Sequence, residues 1–171
     1  MCTMNTPKEI KLKNALEAVP AGFVADARWL VSQGISRFLT RKYVESGGLE
    51  RLERGVFRRP RPHPAPLGWS TCLLSLLHIM SYKIHARGIT ALCEQGYRHY
   101  LPLEAPAPVW LYDDDIPSWV PRLKPDAPLI ARGRSLFTDP DLGPTENKSA
   151  NARTTPCGRA LLMSLPERAL L

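Results

Sequence analysis

Eight cationic side chains crowd into 25 residues: Arg37, Arg41, Lys42, Arg51, Arg54, Arg58, Arg59 and Arg61. Only Glu45, Glu50 and Glu53 oppose them, so this stretch carries +5 of the chain's formal net charge of +7. Such a block suits a polyanion, because neutralising phosphates releases condensed counterions. Arg37 and Arg41 stand one helical turn apart, and either guanidinium can present its fork of donors to O6 and N7 of a guanine. Thr40 can meet a thymine methyl or a phosphate, and Arg51, Arg54, Arg58 and Arg59 are candidates for phosphate contact.

Other chemistry is thinly represented. Asp113-Asp114-Asp115 resembles the acidic cluster of a metal-dependent nuclease, but consecutive carboxylates ahead of Ile116-Pro117 read more simply as a solvated turn after a strand. His99 lies between Arg98 and Tyr100 with no nucleophile beside it and reads as structural or surface. Cys2, Cys72, Cys93 and Cys157 are scattered and lack metal-ligand spacing, as expected of reduced thiols in a cytoplasmic protein. No P-loop, dinucleotide fingerprint or nucleophile elbow is present. The expectation is therefore no cofactor, no metal and no catalytic residue. No apolar run is long enough for a membrane span. The charged N-terminus lacks the apolar core of a secretion signal.

The cations need elements to aim them. Ile10 to Ala18 reads as a short helix ended by Pro20 and Gly22. A second helix is predicted from Ala25 to Gln33, with Ala27, Leu30 and Val31 on its apolar stripe. Gly34-Ile35 breaks it, and a third helix runs from Ser36 to Ser46. Ser36 is its N-cap, because a hydroxyl can accept an otherwise unpaired backbone N–H. At about 100° per residue, Ile35, Phe38, Leu39 and Tyr43 fall on one arc and are predicted to pack inward. Ser36, Arg37, Thr40 and Arg41 fall on the opposite arc. Lys42 points toward the packed side and must snorkel to reach a phosphate, while Val44 points toward solvent. Leu49 to Leu52 and Gly55 to Arg58 then read as a hairpin turning through Glu53-Arg54-Gly55.

The order helix, turn, capped helix, basic hairpin predicts a winged helix-turn-helix over residues 1–60, in which one helix enters the major groove and the hairpin lies along the backbone. The DNA-contact set is Ser36, Arg37, Thr40, Arg41, Lys42, Arg51, Arg54, Arg58 and Arg59. Alternating prolines from Pro60 to Pro66 make residues 61–68 a stiff linker. Beyond it, residues 69–171 are predicted to form a small, incomplete α/β domain, giving an α+β fold overall. Its expected elements are a helix from Trp69 to Tyr82, a short helix from Thr90 to Gly96, and strands Val109–Tyr112 and Pro128–Ala131. Residues 138–159 are polar and turn-rich and read as loop or disorder. Trp29, Trp69, Trp110 and Trp119 read as core or half-buried aromatics.

Three runs carry a family resemblance. Ala27-Arg28-Trp29-Leu30-Val31-Ser32-Gln33-Gly34-Ile35-Ser36, then Tyr43 to Leu52, then Arg54-Gly55-Val56-Phe57-Arg58 resemble the winged-helix start of AbiEi-family antitoxins. Gly88-Ile89-Thr90-Ala91-Leu92, Gln95-Gly96-Tyr97 and Tyr100-Leu101-Pro102 are similar to that family's segment after the linker. Leu165-Pro166-Glu167-Arg168-Ala169-Leu170-Leu171 is similar to its Ser-Pro-Glu-Arg-Ala-Leu-Leu motif, with Leu165 in place of the serine. The resemblance implies an antitoxin of a type IV toxin–antitoxin system linked to abortive phage infection. It implies repression of its own operon through promoter repeats in double-stranded DNA. It also implies action against a nucleotidyltransferase toxin without a required stable complex. Relatives continue past the Pro-Glu-Arg-Ala-Leu-Leu run, so a shortened chain is expected to expose apolar surface on its second domain and to self-associate there. Two other readings stand beside this one: a nuclease-like second domain using Asp113 to Asp115, and a protein-interaction module without DNA affinity.

Overall fold

A computed structural model describes Glu17 and residues 19–63, 65–94, 96–97, 106–113, 115–133, 144–147 and 161–164. It is a mixed α/β structure with small sheets and short helices. The chain divides into two compact units, Met1–Ala65 and Pro66–Leu171. The predicted helix Ile10 to Ala18, apart from the helical Glu17, and the run Leu165 to Leu171 lie outside the described residues, as does His99.

The first unit opens with strand β1 (Val24–Asp26), followed by α1 (Ala27–Ser32), α2 (Arg37–Glu45), β2 (Glu50–Glu53) and β3 (Val56–Arg58). The helix expected from Ala25 therefore starts two residues later. Val24, Ala25 and Asp26 pair antiparallel with Arg58, Phe57 and Val56. A three-residue run is too short to display the alternation that marks a strand. Burial of Phe23, Val24 and Ala25 together is what commits this segment to the sheet. Asp26 then changes role. Its Oδ1 accepts the Trp29 N–H at 2.7 Å, which caps α1 where the strand ends.

α1 closes through Gln33-Gly34, and the Ile35 N–H donates to the Leu30 carbonyl at 2.9 Å. Ser36 caps α2 as its sequence foretold, its Oγ accepting the Leu39 N–H at 3.3 Å. The sheet order is β1-β3-β2. Glu50 faces Arg58 and Glu53 faces Val56, with a bulge between Arg51 and Glu53. Arg54 and Gly55 alone connect these strands, and Gly55 has φ +77°, a conformation that a side chain at that position would disfavour. Phe23, Leu30, Ile35, Leu49 and Val56 form the core of the unit.

The second unit holds α3 (Trp69–Leu74), which runs on into a π-helical turn (Ser75–Ile79). The Ser75 hydroxyl donates to the Thr71 carbonyl at 2.6 Å, a back-bond that locally distorts helices. Then come β4 (His85–Arg87), α4 (Ile89–Glu94), β5 (Val109–Tyr112), a 3-10 turn (Val120–Arg122), β6 (Leu129–Arg132), β7 (Pro144–Asn147) and β8 (Leu161–Ser164). The sheet order is β6-β5-β4-β8-β7. β5 runs parallel to β6 and antiparallel to β4, whereas β4 runs parallel to β8. Leu73, Leu74, Leu76, Ile84, Leu111 and Met163 are its largest buried side chains.

Two expectations fail here. Residues 144–147 are not loop: they pair antiparallel with Ser164 to Leu161. The sheet also has strands β4 and β8 that periodicity did not reveal. His85-Ala86-Arg87 is buried at all three positions despite its two polar side chains, so a polarity pattern reads it as surface.

Candidate nucleic-acid interface

Five of the nine side chains singled out for DNA contact lie on α2 or its cap, and their orientation follows from what the helix buries. Ile35 is fully buried and Thr40 is 6% exposed, while Leu39, Tyr43 and Val44 are half-buried. With about 100° between residues, the opposite side of the helix carries Phe38, Arg41, Lys42 and Glu45, with Arg37 at its margin. All five are exposed. The expected arc was thus displaced around the helix. Thr40 faces inward, and its hydroxyl donates to the Ser36 carbonyl at 3.1 Å. Phe38, expected in the core, is exposed, and Lys42 is exposed without needing to snorkel. The reason is that α2 packs through a polar Thr40, whose hydroxyl finds a backbone acceptor within the helix and so loses little on burial.

Arg37 and Arg41 emerge as the sequence placed them. Arg41 Nε donates to Glu45 Oε1 at 3.0 Å, in a pair whose side chains are 81% and 60% exposed. Exposed i,i+4 pairs contribute little, so exchanging this carboxylate for a phosphate costs little. Ser36 has its oxygen engaged as a cap, which leaves its O–H as the donor available to an anion.

The hairpin arginines divide into two kinds. Arg51 and Arg54 are exposed. Together with Arg37 and Arg41 they line a groove of about 480 Å³ between α2 and the hairpin, along with Ala27, Val31, Thr40, Val44, Gly55 and Phe57. Arg58 and Arg59 are engaged by the protein itself. Arg58 donates through Nη2 and Nε to Glu50 Oε2, at 2.7 and 3.0 Å, and through Nη1 to the Ala65 carbonyl at 3.1 Å. Arg59 Nη1 donates to the Val19 carbonyl at 3.0 Å. Both were expected to face phosphates. Cross-strand register puts Glu50 directly opposite Arg58, and opposite charges so placed attract.

A model of the family described as transcriptional regulator, AbiEi antitoxin N-terminal domain matches residues 8–103. The chain belongs to this AbiEi antitoxin family. The match covers α1, α2 and the hairpin, and continues through α3, β4 and α4 in the second unit. Membership makes the chain an AbiEi-type transcriptional regulator or antitoxin. No curated protein matches the chain.

Two features of the AbiEi surface escaped the sequence reading. The apolar lining of the groove needed β3 to bring Phe57 to Ala27 and Val31, which no local pattern shows. Phe38 was legible only through its spacing to Lys42, whose Nζ lies 4.8 Å from the ring centroid. Of the acidic cluster, Asp114 lies outside the described residues. Asp113 is 6% exposed and its N–H donates to the Arg132 carbonyl at 3.2 Å, whereas Asp115 is exposed. Among the described residues, no three His, Cys, Asp or Glu side chains come together to hold a metal ion. No helix among them is long and apolar enough to cross a membrane.

Proposed function

We propose that the first unit is a winged helix-turn-helix that binds double-stranded DNA and represses transcription. In this reading residues 1–60 are the DNA-binding domain, α1 braces α2, α2 enters the major groove, and the β2–β3 hairpin is a wing on the backbone. The carrying observation is the four-arginine cluster: Arg37 and Arg41 on α2 and Arg51 and Arg54 on the hairpin line one groove. Lys42 and the Ser36 hydroxyl add flanking donors. Arg58 and Arg59 set the frame of the hairpin, and the buried Thr40 lines the groove between the arginines. AbiEi membership supports the same assignment.

The DNA is the repeat-bearing promoter of the chain's own operon, so the protein regulates its own synthesis in the cytoplasm. Residues 61–68 link this domain to residues 69–171, an α/β antitoxin-type domain that counteracts a nucleotidyltransferase toxin without a stable complex. The reading calls for no cofactor, metal or catalytic group.

Fluorescence anisotropy against duplex from the chain's own upstream region tests it. With about four phosphates neutralised, log K should fall against log salt with a slope of about −4. Arg37→Ala with Arg41→Ala should abolish specific binding. Absence of salt-dependent binding at low ionic strength defeats the reading.

A further inference from the structure

Phe38 is 65% exposed, more than Val31, Ile89 or Tyr97. It occupies the middle of the outward side of α2, among Arg41, Lys42 and Glu45. An apolar protein partner suits this setting badly, because docking on the ring would strip water from the ammonium and guanidinium groups around it without supplying anions. A suitable partner presents anions and apolar points side by side. The major groove does so: phosphates line its edges, and thymine places a 5-methyl group on its floor. The Lys42 Nζ, at 4.8 Å from the ring centroid, holds a cation against the same ring, one helical turn along. Ring and ammonium can therefore meet a methyl and a phosphate together.

We propose that Phe38 is a specificity-determining residue that reads thymine, its ring packing on the 5-methyl group while Lys42 neutralises a nearby phosphate. This rests on the DNA-binding reading of the first unit and deepens it by naming the base that is read.

The full chain is used to select duplexes from a randomised library. Each thymine of the selected duplex is then replaced singly by deoxyuridine, which removes the methyl and nothing else. At one position the wild type should lose about four-fold in affinity, the value of one buried methyl-sized group. F38A should bind the thymine and uridine duplexes equally, and F38L should keep part of the discrimination. A cooperative thermal unfolding transition of F38A, followed by circular dichroism and matching that of the wild type, shows that the variant folds. Unchanged affinity at every uridine position overturns the proposal, as does full discrimination by F38A. A dimer of the wild type that sedimentation shows to be lost in F38A overturns it too, and assigns the ring to self-association. A wild type that binds no duplex at any salt concentration sinks the DNA-binding reading itself, a result distinct from loss of thymine preference alone.

Discussion

Arg58 and Glu50 face each other across the β2–β3 pair, with Nη2 2.7 Å and Nε 3.0 Å from the same carboxylate oxygen. The Arg58 side chain is 18% exposed and the Glu50 side chain 47%. A guanidinium held this way, and tied also to the Ala65 carbonyl, fixes the end of β3 rather than reaching outward. The basic block therefore contains frame cations and surface cations that look alike in sequence.

That division has opposite consequences in two measurements. Arg58→Ala should lower stability by about 1–2 kcal/mol, the worth of charged hydrogen bonds partly open to water. It should leave the salt slope of DNA binding unchanged. Arg51→Gln or Arg54→Gln should do the reverse: little change in denaturation midpoint, and a slope shallower by about 0.9 for each lost phosphate contact. A slope that changes equally for all three would show that Arg58 leaves Glu50 when DNA binds.

How far the sequence was readable follows from the range of the interactions involved. The Ser36 cap, α2 and the Arg54-Gly55 turn were legible because each is decided within a few residues. β5 was legible to the residue, because Val109-Trp110-Leu111-Tyr112 alternates between buried and half-buried positions. Ala25 and Asp26 of β1 read as the start of the helix, because this three-residue strand acquires its identity only by pairing with β3. β7 was misread as loop, because Pro144 to Asn147 has little apolar character and depends on β8 for its pairing. In the candidate site, the outward side of α2 was misjudged where Thr40 replaced Phe38 in the packed layer. Hydropathy ranks Phe as core, but the burial of Ile35 and Thr40 turns Phe38 to the exposed side of the helix.

One helix cap comes from far along the chain. Gly68 precedes α3 without a side chain to cap it. Asp126 substitutes, its Oδ1 accepting the Trp69 N–H at 2.7 Å while its own N–H donates to the Leu67 carbonyl at 2.9 Å. Asp126→Ala should cost about 0.5–2 kcal/mol, and Asp126→Asn should recover most of it, since the amide oxygen can still accept. Hydrogen exchange followed by mass spectrometry would show faster exchange at the start of α3 and no change across Val24 to Arg58. Unaltered protection at Trp69 in the alanine variant would refute the long-range cap.

Gly22 is held by an equally specific arrangement. It is buried, has φ +89°, and donates its N–H to the Arg59 carbonyl at 2.7 Å. A Cβ built there would collide with the Arg61 guanidinium. Gly22→Ala should therefore cost about 1–2 kcal/mol for the left-handed backbone, with a further loss as Arg61 is displaced. Gly34→Ala has φ +83° but open space around it, so it isolates the backbone contribution. If urea denaturation gives the two variants the same loss, Arg61 yields without cost and the packing argument fails.

Tyr43 makes stability depend on alkaline pH. It is half-buried on the inner side of α2, its carbonyl accepts the Leu49 N–H at 3.1 Å, and burial raises its phenol pKa above the ordinary value. The folded protein therefore holds this proton more tightly than the unfolded chain does. The resulting stabilisation is fully present below the ordinary phenol value of about 10, and it is lost as pH rises through the higher folded value. Wild-type stability should fall across that window, and the Tyr43→Phe curve should fall less. Other tyrosines and the lysines titrate in both proteins, so the difference between the curves isolates Tyr43. Parallel curves would mean that the ring keeps enough water to ionise in place. α2 would then be less firmly seated than a DNA-reading helix requires.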